Sequence, residues 1–176
     1  MKRIIVTGAN KGIGLAIVTK LLEDFPDTYL LLGSRDIGRG QGALEQIGEV
    51  YKDRVELLQI DVTSDESVKN AVEAVKAKHG DTEPLFGLVN NAGGTLGPTD
   101  DSARGTVELN TYGLRRVCEA FLPLIQKDKG VYHPDYEFYN QYFSVQGALF
   151  RFPLVPPQCF WQSAARKFNL SWLTRM

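Results

Sequence analysis

The chain has 176 residues, of which 43% are hydrophobic and 23% charged, and its formal net charge at pH 7 is −1. This length suits one globular domain, the charge gives no reason to expect nucleic acid or an anionic membrane as a partner, and no apolar run approaches the roughly 18 residues that span a bilayer. We therefore expect a cytoplasmic protein without a nucleic-acid or membrane partner.

Apolar runs and helical patterns alternate along most of the chain. Short apolar runs predict strands at residues 4–8, 28–34, 55–61 and 85–94. Helical spacing of apolar residues predicts helices at residues 12–25, 36–52, 63–78 and 101–127. The apolar positions used for the first and last helices are Ile13, Ala16, Ile17, Leu21, Leu22, Val107, Leu109, Leu114, Val117, Phe121 and Leu124. A strand followed by a helix, repeated with short connections, predicts an α/β fold with a doubly wound parallel sheet.

Two local signals refine this outline. Thr63, with Glu66 three positions later, has the pattern of a capping box at the start of the third helix. Cys118 and Cys159 lie far apart and fit no metal-binding or redox spacing, and the two histidines are isolated. We therefore expect no metal site and expect both thiols to be reduced and structural.

A glycine-rich loop, TGANKGIG at residues 7–14, connects the first predicted strand to the first predicted helix. In this context Gly8 permits a tight turn, Gly12 lets the backbone approach a pyrophosphate, and Gly14 lets the helix pack close to the sheet. The amino terminus of the helix then offers free N–H groups to phosphate oxygens. The alternative is an ordinary glycine-rich turn, but the flanking strand and helix favour nucleotide binding.

The spacing of these glycines, Gly-x-x-x-Gly-x-Gly, together with NNAG at residues 90–93 and Asn110, resembles the short-chain dehydrogenase/reductase family. The stretches GANKGIGLAIV, SRDIGRGQGALEQI, LQIDVTSDESV, LVNNAGG and ELNTYGLRRVCEAFLPLI are similar to those of its NADPH-dependent carbonyl reductases. This resemblance covers residues 2–128 and implies a Rossmann fold that reduces small-molecule carbonyl substrates with a nicotinamide cofactor.

The resemblance also implies roles for individual residues. Asp61 and Val62 are expected to flank the adenine, and Asn110 is expected to be the active-site asparagine, which holds a helix backbone and a water in the proton relay. Asn90, Ala92 and Gly93 are expected to line the ribose and nicotinamide side. The expected cofactor-binding residues of the first loop are Gly8, Asn10, Lys11, Gly12, Ile13 and Gly14.

The end of the second predicted strand bears on the choice of cofactor. Proteins that prefer NAD place an acid there to bind the ribose 2′-hydroxyl, whereas this chain has Arg35, whose guanidinium can pair with a 2′-phosphate. The resemblance implies that Lys11 and Arg39 add positive charge. Asp36 complicates this reading because it places an acid one position along, and the arginines could instead be ordinary surface residues. We predict NADP(H) as the cofactor.

The catalytic residues of the family are largely missing. The resemblance implies a Tyr-x-x-x-Lys pair, in which lysine lowers the pKa of the tyrosine that donates the proton, and a serine that polarises the carbonyl. No lysine lies four residues after Tyr132, Tyr136, Tyr139 or Tyr142, and Lys167 has Ser163 at the tyrosine position. Ser144, in SVQG, matches the family's Ser-x-x-Gly and is a candidate for the catalytic serine, although so short a match also arises by coincidence.

The composition changes abruptly at Val131, after which aromatic and proline-rich stretches show no helix or strand period. We predict an NADP-binding Rossmann half-domain at residues 1–130, with a sheet that stops after its fourth or fifth strand, and an atypical tail at residues 131–176. We hypothesise that the tail comes from a retained intron or a frameshift, because one alternate reading frame permits a family-like strand and helix. The complete form would be an NADPH-dependent reductase of aldehydes, ketones or quinones; the alternative is a catalytically dead NADP-binding product. The sequence does not predict the oligomeric state.

Overall fold

The computed structural model describes residues 1–82, 84–94 and 99–126. Its strands are β1 (Lys2–Val6), β2 (Thr28–Ser34), β3 (Val55–Gln59) and β4 (Gly87–Val89). Its α-helices are α1 (Gly12–Asp24), α2 (Ile37–Ile47), α3 (Asp65–His79), α4 (Asp100–Val107) and α5 (Gly113–Phe121). The strands form one parallel sheet in the order β3-β2-β1-β4.

Helices cover both faces of this sheet because strand side chains alternate between the faces. Ile4 and Val6 of β1 belong to a buried cluster with residues of α1 and α2, whereas Ile5 belongs to a second cluster with residues of α3 and α5. All four predicted strands are present, but β1 begins two residues earlier than predicted and ends at Val6, β3 ends at Gln59, and β4 is only Gly87–Val89. The α/β fold with a doubly wound parallel sheet is confirmed.

Two helix boundaries differ from the prediction. The second predicted helix, 36–52, ends at Ile47, where Gly48 adopts a φ of +92°, and a 3₁₀ helix (Glu49–Arg54) follows. The predicted N-cap of the third helix, Thr63, was wrong by one residue: Ser64 is the N-cap, and its side chain accepts a hydrogen bond from the Ser67 backbone N–H. Thr63 instead donates to the carboxylate of Asp61.

The long helix predicted at 101–127 is confirmed from Asp100 to Phe121, because α4, a π-helical segment and α5 follow one another with helical backbone throughout, but it ends earlier than predicted. After α4, a π-helical segment, Glu108–Tyr112, precedes α5, and a 3₁₀ turn, Leu122–Leu124, ends the run. A π segment inserts an extra residue in a turn and re-aims the side chains that follow, and Pro123 cannot continue the helix. Beyond the turn, Ile125 forms a parallel bridge with Leu85, just before β4.

The helix faces also differ in part from the prediction. Leu21, Leu22, Val117 and Phe121 are buried as expected. Ile13, Ala16 and Val107 face outward, so their assignment to the apolar side of a helix was wrong. The described sheet has β4 at one edge, and the predicted tail at 131–176, including Ser144, lies outside the described residues.

The packing of α5 can be tested at Phe121, which is completely buried. Phe121→Ala removes a ring and leaves a cavity, which typically costs about 3–5 kcal/mol. Urea unfolding should show this loss of stability. The matched truncation Val107→Ala, at a side chain that is 48% exposed, should change stability by less than about 0.5 kcal/mol. Equal effects would show that α5 does not pack on the sheet in solution.

Candidate cofactor site at the carboxyl edge of the sheet

The strand order creates a crevice where β1 and β4 end. From β1 the chain crosses over one face of the sheet to β2 and β3, and it then returns to β4 on the other side of β1. Parallel sheets bind ligands at such a switch point, beyond the carboxyl ends of the strands. The glycine-rich loop after β1 and the turn at residues 90–94 after β4 meet there.

Thr7 and Asn91 join these two loops. The Thr7 hydroxyl oxygen accepts hydrogen bonds from the backbone N–H groups of Asn91 and Ala92, both at 3.0 Å. The Asn91 side-chain amide donates to the carbonyl oxygens of Thr7 at 3.0 Å and Gly8 at 3.1 Å. Because Thr7 is completely buried, these bonds are shielded from water and fix the two loops relative to each other.

Neither Thr7 nor Asn91 was identified as a site residue from the sequence. The available signal was their position in a parallel sheet. Thr7 directly follows β1, and Asn91 is the second residue after β4. The carboxyl ends of neighbouring parallel strands meet at one edge, so these residues had to lie near each other once β4 was paired with β1. Only the sheet order supplies that pairing.

The loop glycines differ in what surrounds them. A Cβ at Gly8 would lie 2.8 Å from Cα of Ala92, and one at Gly14 would lie 2.6 Å from the carbonyl oxygen of Gly8. Gly12 has a φ of +57°, and a Cβ there would meet no described atom within 4 Å. Gly8, which also has a positive φ of +62°, and Gly14 therefore allow close packing, whereas Gly12 combines a left-handed backbone with space that no described residue fills.

The amino terminus of α1 has no side-chain cap, unlike those of α2, α3 and α4. Asp36, Ser64 and Thr99 cap those three helices, but the N-cap residue of α1, Lys11, makes no side-chain cap hydrogen bond. The first N–H groups of a helix have no partner within the helix, and the helix dipole makes this end attractive to anions. The open loop therefore fits a phosphate group.

Arg35 and Arg39 lie beside this loop, after β2. Both are exposed, and within the described part of the chain neither forms an ion pair. Asp36, which complicated the prediction, is accounted for: its carboxylate accepts a hydrogen bond of 2.7 Å from the backbone N–H of Arg39 and caps α2. Two guanidinium groups are thus available to an anion, while the neighbouring acid is engaged.

Asn90 does not reach the crevice with its side chain. The residue is 2% exposed, and its amide donates to the sulfur of Cys118 on α5 at 3.3 Å. Only the backbone of Asn90 could therefore line a cofactor, and its cofactor-binding role stays a prediction. Burial raises the pKa of the Cys118 thiol to about 12, so this thiol stays protonated at neutral pH and acts as a packed core group.

Asn110 lies in the π-helical segment and binds the turn after β4. Its amide donates to the carbonyl oxygen of Gly94 at 2.8 Å, and its Oδ1 accepts from the Gly94 N–H at 2.9 Å. A Cβ at Gly93 would lie 2.8 Å from the same Oδ1. Asn110 therefore holds the turn that contains Ala92 and Gly93 against the helix.

Asp61 and Val62 follow β3, which is separated from β1 and the crevice by β2. The Asp61 carboxylate accepts from the backbone N–H and the hydroxyl of Thr63, at 2.9 and 2.7 Å, which fixes the start of this loop. Val62 is buried. Among the described residues, no three His, Cys, Asp or Glu side chains group as a metal site, and none of the helices there is long and apolar enough to cross a membrane.

Comparisons with known proteins agree on one family. The family model for short chain dehydrogenases matches residues 2–131. Bovine mitochondrial D-beta-hydroxybutyrate dehydrogenase is 31% identical over 135 residues, covering 73% of this chain and 39% of that protein. Carbonyl reductase (NADPH) 1 of Pongo abelii is 36% identical over 128 residues, covering 69% of this chain and 44% of that protein.

A solved structure, the NADPH-bound carbonyl reductase from chicken fatty liver, is 29% identical and superposes with a TM-score of 0.61. The similarity covers 70% of this chain and 51% of that one. The chain thus spans half the length or less of the curated relatives described here.

The bridge between the two loops can be tested with Thr7→Val, which keeps the shape of the side chain and removes the acceptor of two N–H groups. Each buried donor left unsatisfied costs about 1–3 kcal/mol, so the free energy of unfolding measured in urea should fall by about 2 kcal/mol or more. Thr19→Val is the matched control, because the Thr19 hydroxyl donates to Leu15 within α1; it should cost less than about 1 kcal/mol. A Thr7 variant as stable as its control would contradict this role.

Proposed function

Because the chain belongs to the short chain dehydrogenase family, we propose that residues 1–130 form an NADP(H)-binding half-domain of a carbonyl reductase. In its complete form the protein would reduce aldehydes, ketones or quinones with hydride from NADPH. The observation that carries the binding proposal is the uncapped amino terminus of α1, with open space over Gly12. A pyrophosphate placed there would accept hydrogen bonds from the first N–H groups of the helix.

Two observations support NADP(H) over NAD(H). Arg35 and Arg39 follow the end of β2, where the resemblance to the family implies that the 2′-phosphate lies, and Asp36 between them is engaged as a helix cap. In addition, one similar structure is described as an NADPH-bound carbonyl reductase. Because a guanidinium can bind phosphate through two N–H groups at once, Arg35 would provide geometric selectivity as well as charge. Lys11, at the start of α1, would add positive charge to the same region.

The described residues would orient the cofactor but would not complete the chemistry. The bound cofactor supplies the hydride. Asp61 and Val62 would flank the adenine, and Asn110 would hold the Ala92–Gly93 turn beside the nicotinamide, as its bonds to Gly94 suggest. A developing alkoxide also needs a proton donor, and general acid catalysis contributes about 10²–10⁴-fold. Ser144 remains a candidate for the carbonyl-polarising serine from the sequence, outside the described residues.

A second candidate function is nucleotide binding without turnover. It is favoured by the sequence itself, because Tyr132, Tyr136, Tyr139 and Tyr142 all lack a lysine four residues later. The atypical segment 131–176 and its origin in a retained intron or frameshift stay predictions, as does the cytoplasmic location. The two candidates share one binding site, so they differ only in whether this chain turns its cofactor over.

The cofactor assignment can be tested with Arg35→Ala. We expect NADPH binding to weaken by about 1.5–3 kcal/mol, the usual worth of a hydrogen bond to a charged group, and NADH binding to change far less. Titration calorimetry with both cofactors measures the difference. Lys52→Ala, which removes an exposed positive charge on the 3₁₀ helix after α2, should leave both affinities unchanged. Equal losses for NADPH and NADH would rule out Arg35 as the 2′-phosphate ligand.

Turnover by the 176-residue chain should lie at or near background with a simple quinone or aldehyde. The reason is that no tyrosine–lysine pair is present to deliver the proton, which forfeits about 10²–10⁴-fold. NADPH oxidation followed by absorbance measures this, with Gly12→Asp as the binding-deficient control. A rate clearly above background that Gly12→Asp abolishes would mean that the chain uses an acid not identified above.

A further inference from the structure

Arg116, on α5, connects two loops that belong to different parts of the site. Its guanidinium donates to the carbonyl oxygen of Val62 at 2.8 Å, to the carboxylate of Asp65, and to the carboxylate of Glu108 at 3.0 Å. Val62 lies in the loop that follows β3, Asp65 is the first residue of α3, and Glu108 is the first residue of the π-helical segment. One side chain thus bonds to both the adenine-side loop and the segment that carries Asn110.

The backbones of these two regions also touch directly. A Cβ at Gly113, the first residue of α5, would lie 3.0 Å from the carbonyl oxygen of Val62 and 3.1 Å from its side chain. Gly113 is buried. This contact does not involve the Arg116 side chain, although it is made to the same Val62 carbonyl group. The loop after β3 therefore packs against the junction between the π segment and α5.

Water reaches the three Arg116 contacts to different extents. Arg116 is 22% exposed, but Asp65 is 87% and Glu108 41% exposed, so water weakens the ion pair with Asp65 most, whereas the bonds to Glu108 and to the Val62 carbonyl oxygen are partly buried. Hydrogen bonds from a guanidinium are charge-assisted, and the planar group fixes the relative position of its partners. The hydrogen bonds to Asp65 and Glu108 also raise the pKa of Arg116, and an arginine is in any case charged at neutral pH.

We propose that Arg116 is a positioning residue that couples the adenine-side loop, residues 61–65, to the π-helical segment Glu108–Tyr112 and so to Asn110. Binding of an adenine nucleotide at the loop then stabilises, through Arg116, the segment that holds the turn at Gly94. The ligand part of this inference rests on the proposed NADP(H) function, whereas the coupling between the two segments does not.

Hydrogen exchange of the unliganded protein tests the coupling alone. Arg116→Ala should raise the exchange rates of amides in both segments by about fivefold or more, the effect of losing one net hydrogen bond. The matched control is Arg54→Ala. Arg54 also bridges elements, because it donates to the carbonyl oxygens of Leu22 and Phe25, but it lies at the amino ends of the strands, away from the site. It should leave both segments unchanged. Faster exchange in only one segment, or in neither, would overturn the proposal.

The second arm uses 2′,5′-ADP, which contains the adenine and 2′-phosphate but no nicotinamide. In the wild type, saturating 2′,5′-ADP should protect both segments; in Arg116→Ala it should still bind at higher concentration but protect only residues 61–65. Arg116→Lys keeps the charge without the planar fork and should give intermediate coupling, and it carries the test if the alanine variant does not fold. Unchanged protection of Glu108–Tyr112 in both variants would show that Arg116 is merely structural.

Failure of the proposed function gives a different result. If the wild type binds neither 2′,5′-ADP nor NADPH, the NADP(H) proposal fails, and with it the ligand part of the inference. The exchange rates of the unliganded variants still decide the coupling, because they require no ligand. An arginine variant that exchanges like Arg54→Ala in both segments would overturn the coupling even if NADPH binds normally.

Discussion

The geometry of the site depends on the bridge between Thr7 and Asn91. These residues follow the two strands that flank the crevice. The buried Thr7 hydroxyl accepts two hydrogen bonds, and the Asn91 side-chain amide donates two more to backbone carbonyl oxygens. Because the bonds involve mostly backbone groups, they set the position of the chain itself, and Gly8 and the turn at 90–94 follow from it. The glycine-rich loop and the turn at residues 90–94 are thereby held as one unit.

A second set of contacts extends this unit to the helices. Asn110 fastens the turn at Gly94 to the π-helical segment, and Arg116 joins that segment to the loop after β3. The loops after β1, β3 and β4 are thus connected through polar side chains, while apolar clusters hold the helices on both faces of the sheet. Preorganised loops of this kind lower the cost of ordering a bound cofactor.

The sequence predicted the strand–helix alternation, because it is a local property of the pattern, whereas the role of Gly12 beside a pyrophosphate stays a prediction. It did not predict the π-helical segment within the last helix or the inward orientation of Asn90. Helical spacing of apolar residues continues through Glu108–Tyr112, so the pattern gives no sign of the π segment, and the bond from Asn110 to Gly94, 16 residues away, depends on the tertiary fold. Asn90 and Asn91 are adjacent polar residues, and only the sheet shows that one faces Cys118 and the other the glycine loop.

The central claim is that the crevice between β1 and β4 binds NADP(H), and cofactor-dependent stability tests it most directly. Urea unfolding of the whole chain should be measured with and without NADPH. A ligand at about 100 times its Kd stabilises the folded state by roughly 2.7 kcal/mol, and the account predicts such a shift for the wild type and none for Gly12→Asp. An NADPH concentration in the millimolar range that leaves the wild-type unfolding curve unchanged would contradict the account.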